Sequence, residues 1–219
     1  MSASVTAYTL IILAGGQGRR MEGLDKGLLM LGEQCFVDVL SRRLRCPVPG
    51  TDQILISANR HHDEYARMGG QVCADLRPGY QGPLAGLEAT LARAPADQPV
   101  VIVPCDMPLL PQNLPGRLLA PVIADPAAVA VLHDGQRRQH LCLALWPASA
   151  LPSVQKHLNR GQRSMAGWLS EQRVNDVSYR DEAATAETCW RNVNESSDIL
   201  LLPGSAQTGG AADAAPVIA

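Results

Sequence analysis

One segment near the amino-terminal end constrains the fold more than any other part of the chain. A short apolar run at residues 10–13 leads into the sequence Gly-Gly-Gln-Gly at residues 15–18. An apolar run of this length, bounded by glycines, predicts a strand that is buried on both faces. The glycines can adopt positive φ and let the backbone approach a ligand closely. The segment therefore predicts a buried strand that ends in a ligand-binding loop.

Three basic residues follow the glycines: Arg19, Arg20 and Lys26. Backbone N–H groups in a glycine-rich loop can bind phosphate oxygens, and nearby cations balance the phosphate charge. We therefore expect the loop to hold the triphosphate of a nucleotide. The alternative is a plain glycine turn between a strand and a helix, which would have no need of three cations so close together.

Two well-known phosphate-binding loops do not fit this segment. A P-loop ends in Gly-Lys-Ser/Thr, but here Gly27 follows Lys26 and no hydroxyl is placed to hold magnesium. The dinucleotide-binding pattern Gly-x-Gly-x-x-Gly begins at Gly16, but Met21 stands in place of its last glycine. The sequence thus excludes both loop types.

A different signature does match. Residues 13–28 read LAGGQGRRMEGLDKGL, which resembles the opening of the molybdenum cofactor guanylyltransferase (molybdopterin guanine dinucleotide synthase) family. The double glycine and the triplet Asp25-Lys26-Gly27 favour this family over generic sugar nucleotidyltransferases. The resemblance extends over residues 9–108 and, more loosely, over residues 190–202. It implies transfer of GMP from GTP to molybdenum-molybdopterin, with release of pyrophosphate and with Mg²⁺ as cofactor.

Apolar runs that predict strands alternate with helical patterns in the first half of the chain. The runs lie at residues 10–13, 53–57, 72–74 and 100–103. This alternation predicts a three-layer α/β fold, with helices on both faces of a mostly parallel sheet. The resemblance implies the Rossmann-like form of that fold found in nucleotidyltransferases.

The second half of the chain has a different pattern. Two further strands are expected at residues 129–133 and 141–146, joined through an Asp-Gly turn signal that favours an antiparallel or loosely paired arrangement. Two helical segments are expected within residues 148–171, and a last short strand at residues 174–177. A polar loop that includes residues 192–198 is expected to cap a final helix.

We expect these elements to form a single nucleotidyltransferase domain over residues 1–202. The Gly- and Ala-rich segment at residues 203–219 has no apolar periodicity, which predicts a disordered tail.

The carboxyl ends of parallel strands are where ligands bind in such sheets. The glycine loop, residues 57–60, Asp75 and Asp106 each follow a predicted strand, so we expect them to meet at one rim. Asp106 follows the most apolar strand and is the candidate ligand for magnesium, which often takes only one or two carboxylates from a protein. The alternative is that Asp106 caps a helix that begins after Pro108.

The rim and the resemblance together give candidate residues for each role. The candidate catalytic residues are Lys26, Asp106 and Arg20, and the metal ligand is Asp106. The candidate nucleotide-binding residues are Leu13, Ala14, Gly15, Gly16, Arg19, Lys26, Asn59, Asp75, Gly82, Leu84 and Asp106. The resemblance assigns Asn192 and Asn194, from a late Asn-x-Asn element, to the pterin.

Several of these candidates have a structural alternative. Asp75 is as well suited to capping a turn as to contacting a ligand, and Asn192 and Asn194 could cap their own loop. Relatives often have an asparagine where this chain has Ser57, so a nucleotide contact at that position is not assigned. Arg137 and Arg138 either meet an anionic substrate or form an exposed hairpin tip, and exposure is favoured.

The amino-acid composition limits the kinds of partner that the chain is expected to bind. The chain has 219 residues and a formal net charge of −2, so no global positive field attracts nucleic acid. Aromatic residues make up 4%, which leaves few rings for stacking on bases.

The six cysteines form no Cys-x-x-Cys pair, which is typical of free thiols in a reducing cytosol. The amino-terminal residues show neither a signal peptide nor a membrane span, so we expect a cytoplasmic protein.

The expected partners are GTP and molybdenum-molybdopterin, with molybdenum-insertion proteins and the enzymes or chaperones that receive the finished cofactor as further candidates. Neither nucleic acid nor a membrane is expected. Two rival functions remain: cytidylyl transfer to molybdopterin or another small-molecule nucleotidyltransferase reaction, and a regulatory protein that binds nucleotide without catalysis.

Overall fold

The computed structural model describes residues 7–16, 24–48, 53–179, 190, 192–193, 198 and 201–202. Nine strands lie in these ranges: β1 (Thr9–Leu13), β2 (Met30–Leu31), β3 (Gln34–Cys35), β4 (Ile54–Ser57), β5 (Gln71–Cys73), β6 (Val100–Pro104), β7 (Val129–His133), β8 (Arg138–Leu145) and β9 (Val174–Ser178). The helices there are α1 (Phe36–Arg43), α2 (His62–Ala66), α3 (Pro83–Leu91), α4 (Leu114–Ala124), α5 (Pro147–Asn159) and α6 (Met165–Ser170). A 3₁₀ turn covers Lys26–Leu28.

Seven of these strands form one sheet in the order β5-β4-β1-β6-β8-β7-β9. The pairs β5–β4, β4–β1, β1–β6 and β7–β9 are parallel. Strand β8 runs antiparallel to both of its neighbours, β6 and β7. The sheet is therefore mostly parallel, as predicted, and the Asp-Gly signal correctly indicated an antiparallel β7–β8 pair. Strands β2 and β3 form a separate two-stranded hairpin.

A hydrophobic core lies on each face of the sheet, because successive side chains of a strand point to opposite faces. In β1, Leu10 and Ile12 belong to one core, which also contains residues of α1 and α4. Ile11 and Leu13 belong to the other, with residues of α3, α5 and α6. Every residue of β1 and β6 is buried. These two cores confirm the three-layer α/β architecture.

The structure differs from the sequence predictions in three places. Strand β8 begins at Arg138 rather than at residue 141, so part of the expected turn belongs to the sheet. Helix α2 was not predicted. For helix α4 the sequence predicted no bounds, only a helix after Pro108 that Asp106 could cap, since Pro115, Gly116 and Pro121 lower its intrinsic helix propensity. It begins at Leu114 with Asn113 at the N-cap position, so Asp106 does not cap it. Its Leu118 and Val122 are nevertheless completely buried, so packing against the sheet stabilises it.

Some sequence predictions fall on residues that the structure does not describe. Most of the expected final helix and all of the expected tail at residues 203–219 lie outside the described ranges. The domain limits therefore stay predictions. The five cysteines in the described ranges are buried, and none of them is in a disulfide. None of the helices within the described ranges has the length and apolar character that a membrane crossing requires.

Two glycines on different helices test how closely the helices pack on the sheet. A Cβ at Gly86 in α3 would overlap the Ser57 hydroxyl and lie 3.2 Å from the Ser57 Cβ. We expect Gly86→Ala to lower the free energy of unfolding by about 1–3 kcal/mol through overpacking. Gly116 in α4 has open space around it, so Gly116→Ala should raise the free energy of unfolding by about 1 kcal/mol.

Urea denaturation of both variants measures this difference. If the Gly86→Ala protein were as stable as the wild type, α3 would not be closely packed against Ser57 at the end of β4.

Candidate active site

Four parallel strands end at the same level of the sheet. The register places Leu13 opposite both Ser57 and Pro104, and Ser57 opposite Cys73. The loops that follow β1, β4, β5 and β6 therefore leave from one edge. This arrangement confirms the predicted rim, at the position where parallel α/β sheets bind their ligands.

Asn59 connects three of these loops. Its Oδ1 accepts a hydrogen bond from the Asp75 backbone N–H at 2.9 Å. Its Nδ2 lies so near Gly15 that a Cβ at that glycine would be only 3.3 Å away. The Arg60 guanidinium donates to the Gly16 carbonyl at 3.5 Å. Asn59 thus has a positioning role at the rim, and Gly15 allows the close approach of its loop.

Asp75 lies half-buried beside Asn59. Burial raises the pKa of the Asp75 carboxyl, the Asn59 side chain opposes that rise, and the charge of Glu88 adds to it.

Glu88 is itself almost fully buried and binds Arg77 through two hydrogen bonds of 2.7 and 2.8 Å. The Arg77–Glu88 pair fixes the loop after β5 to α3. Sequence reasoning missed this pair.

The Asp25-Lys26-Gly27 segment is held by Tyr65 of α2. Asp25 Oδ1 accepts hydrogen bonds from the Gly27 N–H at 3.1 Å and from the Tyr65 hydroxyl at 2.5 Å. Burial and this hydrogen bond raise the pKa of Tyr65, so the hydroxyl stays protonated and donates. A Cβ at Gly27 would overlap the Tyr65 hydroxyl and lie 2.9 Å from Val37 Cγ2. Only glycine fits there, and the turn that carries Lys26 is fixed in place.

Lys26 and Asp106 meet at the rim. Lys26 Nζ lies 3.7 Å from Asp106 Oδ2, and their side chains are 24% and 21% exposed. Burial raises the pKa of the Asp106 carboxyl, and the positive charge of Lys26 opposes that rise. A cation from the segment after β1 and a carboxylate from the loop after β6 therefore share one partly open site, as the sequence predicted.

The donor set fits a metal that arrives with its substrate. Within the described ranges, no group of three or more His, Cys, Asp or Glu side chains could hold a metal ion. A magnesium ion bound to a triphosphate needs only one or two protein carboxylates, because phosphate oxygens and water supply its other ligands. Asp106, partly exposed beside the Lys26 ammonium, suits such an ion.

The remaining nucleotide-binding candidates would act through their backbones. Leu13 and Ala14 are buried, and the Ala14 N–H already donates to the Ser57 carbonyl at 2.8 Å. The Leu84 side chain is completely buried in the core, so a nucleotide could reach only its backbone at the start of α3. Gly82 precedes that helix with a φ of 83°. The predicted Arg19, Arg20 and Asn194 lie outside the described residues.

Asn192 lies next to Asp106, although the two are far apart in the sequence. The N–H of the following residue, Val193, donates to the Asp106 carbonyl at 2.8 Å. Val193 is completely buried and packs with Phe36 and Leu202. The Asn192 Oδ1 is buried and has no hydrogen-bond partner in the described part of the chain. The late asparagine predicted for the pterin is therefore held at the rim with an unused acceptor atom.

An open cavity of about 580 Å³ adjoins this part of the rim. Asp106 and Asn192 line it together with residues 137–142 of the β7–β8 hairpin. Arg137 and Arg138 are exposed, as predicted, but they also border the cavity. Sequence reasoning missed Gln139 and His140 here, because the segment read as a turn rather than as the start of β8.

A mostly parallel α/β sheet with a lysine and an aspartate at its ligand-binding edge is the arrangement expected of a nucleotidyltransferase, and the family comparison shows that the chain belongs to this class. Within that class, the chain belongs to the family described as MobA-like NTP transferase domain, whose model matches residues 10–176. This match confirms the resemblance seen in residues 13–28.

Two relatives from bacteria illustrate the family. One from Shewanella sp. (strain MR-4), named molybdenum cofactor guanylyltransferase, is 38% identical over 172 residues, which cover 78% of this chain and 85% of that protein. A protein of the same name from Shewanella frigidimarina (strain NCIMB 400) is 41% identical over 172 residues, with the same two coverages.

Solved structures share the fold. Molybdopterin-guanine dinucleotide biosynthesis protein A from Archaeoglobus fulgidus superposes with a TM-score of 0.69 at 20% identity, covering 88% of this chain and 95% of that one. The 2-C-methyl-D-erythritol 4-phosphate cytidylyltransferase from Thermus thermophilus gives 0.61 at 14% identity, covering 90% and 96%. At these identities the likeness concerns the fold alone.

Replacing Tyr65 tests how the Lys26 turn is held. Tyr65→Phe removes the hydroxyl that donates to the buried Asp25 carboxylate, so we expect the free energy of unfolding to fall by about 1.5–3 kcal/mol. Tyr80→Phe is the matched control, since Tyr80 is 40% exposed and should tolerate the change. Urea denaturation compares the two, and equal stabilities would contradict an anchoring role for Tyr65.

Proposed function

We propose that this nucleotidyltransferase transfers GMP from GTP to molybdenum-molybdopterin, giving the molybdopterin guanine dinucleotide cofactor and pyrophosphate. The observation that carries the proposal is the meeting of Lys26 and Asp106 at 3.7 Å, beside a cavity that Asn192 also lines. Two relatives, at 38% and 41% identity, are named molybdenum cofactor guanylyltransferase. Those names are the basis for choosing GMP as the transferred group and the molybdenum cofactor as its acceptor.

The reaction is an in-line displacement at the α-phosphorus of GTP. An oxygen of the acceptor's phosphate forms the new bond to that phosphorus, and the bond to the bridging oxygen of the β-phosphate breaks, which releases pyrophosphate. The chain must therefore hold the triphosphate on one side of the α-phosphorus and the acceptor phosphate on the other. We propose that the rim holds the triphosphate and that the adjoining cavity holds the acceptor phosphate.

Lys26 and Asp106 have complementary tasks in this reaction. The Lys26 ammonium binds phosphate oxygens and balances part of their negative charge. The Asp106 carboxylate would hold Mg²⁺, which when bound neutralises charge on the triphosphate. Arg19 and Arg20 follow the glycine loop, and we propose that they contact the leaving pyrophosphate.

The nucleoside would lie across the glycine loop and the loops after β4 and β5. We propose that the backbones of Leu13, Ala14, Gly15, Gly16, Gly82 and Leu84 line it. Asn59 and Asp75 supply an amide and a carboxylate for the base or sugar. Guanine carries N–H donors that a carboxylate can accept. These groups suit a base with N–H donors, and the names of the relatives support guanine as that base.

The acceptor site is proposed to include Asn192 and Asn194. The proposed partners are molybdenum-insertion proteins and the enzymes or chaperones that receive the cofactor, and the proposed location is the cytoplasm. A net charge of −2 supports a small phosphorylated substrate rather than nucleic acid.

Nucleotide selectivity tests the proposal directly. The protein is mixed with Mg²⁺, molybdenum-loaded molybdopterin and either GTP, CTP, ATP or UTP, and pyrophosphate release is measured. We expect GTP to be used at least about 100-fold more efficiently than CTP, because a site built to hydrogen-bond one base leaves polar groups unpaired with another. Faster release from CTP would instead establish the cytidylyl rival.

Replacing the proposed metal ligand tests catalysis. We expect Asp106→Asn to slow pyrophosphate release by about 100-fold or more, because charge on the triphosphate is no longer neutralised. Asp97→Asn is the control, since Asp97 is exposed and precedes β6 at the opposite end of that strand. Circular dichroism checks that both variants fold.

The non-catalytic rival predicts a different outcome. If Asp106→Asn kept full pyrophosphate release and Lys26→Ala only weakened GTP binding, neither residue would have the catalytic role assigned to it.

A further inference from the structure

The cavity beside Asp106 is bordered by two adjacent arginines with different surroundings. Arg138 forms a bidentate pair with Asp176 of β9, with Nε–Oδ1 and Nη2–Oδ2 distances of 2.6 and 2.8 Å. Arg137, by contrast, has no carboxylate within ion-pairing distance of its guanidinium among the residues that the structure describes. The Arg138 guanidinium is thus bound by a carboxylate through two nitrogens, whereas the Arg137 guanidinium forms no such pair there and only the charge of nearby Asp134 acts on it.

Asp134 fixes the hairpin turn that carries Arg137. Its Oδ1 accepts hydrogen bonds from the backbone N–H groups of Gln136 and Arg137, both at 2.8 Å. Its Oδ2 accepts one from Gln139 Nε2 at 2.6 Å, and Gln139 is nearly buried. Every Asp134 oxygen is thus used to shape the turn. The Arg137 backbone is preorganised, which lowers the entropy cost of binding a ligand there.

A second polar group borders the cavity. Among the residues that the structure describes, the buried Asn192 Oδ1 has no hydrogen-bond donor, although a buried acceptor without a donor costs free energy. A ligand that offers an N–H group to Asn192 and a negative charge to Arg137 would satisfy both. A phosphate monoester attached to a nitrogen heterocycle has this chemistry.

We propose that Arg137 binds the phosphate monoester of the acceptor substrate and is a specificity-determining residue of this enzyme. This inference rests on the proposed function, because it assigns the cavity to the second substrate of that reaction. Arg137 forms charge-assisted hydrogen bonds with the phosphate oxygens, and the planar guanidinium allows two at once. The residue acts on the acceptor and leaves GTP binding to the rim.

Steady-state kinetics on the full chain test the assignment. With GTP saturating and molybdenum-loaded molybdopterin varied, Arg137→Ala should raise the KM for molybdopterin about 10- to 100-fold, which is the loss expected for a charged hydrogen bond. The KM for GTP should stay unchanged. Arg137→Lys should recover part of the loss, because lysine keeps the charge but not the two-pronged geometry.

Arg160→Ala is the control for removing an exposed arginine, since Arg160 lies at the end of α5 and does not border the cavity. Titration of molybdopterin into enzyme without GTP supplies a readout that does not depend on turnover. The Arg137→Ala protein should bind molybdopterin more weakly by the same factor as its KM rises.

Two failures are distinguishable. A wild-type protein that neither binds molybdopterin nor releases pyrophosphate with it would overturn the proposed function, and this inference with it. A wild-type protein that does both, with an Arg137→Ala variant of unchanged molybdopterin KM and affinity, would overturn the inference alone. A variant that lost only kcat, or that lost affinity for GTP instead, would also overturn it.

Discussion

The approach of Lys26 to Asp106 is the interaction on which the site depends, and two separate parts of the fold produce it. Strand β6 runs parallel to β1 and places Asp106 at the rim. The 3₁₀ turn that follows Asp25 places Lys26, and Tyr65 anchors that turn from α2. Because the ammonium and the carboxylate come from different elements, they meet only when the sheet register and the packing of α2 are both correct.

The electrostatics of this pair suit a ligand that carries both signs of charge. Burial disfavours the ionised form of Asp106, and Lys26 partly restores it. A triphosphate with its metal ion would add a cation beside the carboxylate and anions beside the ammonium, so each group would gain a stronger partner. The cavity extends this arrangement, since Arg137 and Arg138 of the β7–β8 hairpin border it where we propose that the acceptor phosphate binds.

Much of the fold and the rim could be predicted because the signals are local. Buried strands such as β1 and β6 appear as short apolar runs, and a parallel sheet brings the residues that follow them to one edge. Tyr65 and the Arg77–Glu88 pair could not be found in this way, because their contacts join residues 40 and 11 positions apart. The bounds of helix α4 could not be predicted, because tertiary packing overrides its proline and glycine content. Asn192 was assigned only through a family resemblance, and the structure shows the backbone contact that brings it to Asp106.

The most direct measurement is a crystal structure of the protein with Mn²⁺ and a non-hydrolysable GTP analogue, in which anomalous scattering locates the metal. We predict that the metal is coordinated by the Asp106 carboxylate and by phosphate oxygens, with the Lys26 ammonium in contact with the same triphosphate. A nucleotide bound away from Gly15 and Gly16, or a metal whose ligands exclude Asp106, would contradict a shared lysine–aspartate site for the metal-bound triphosphate.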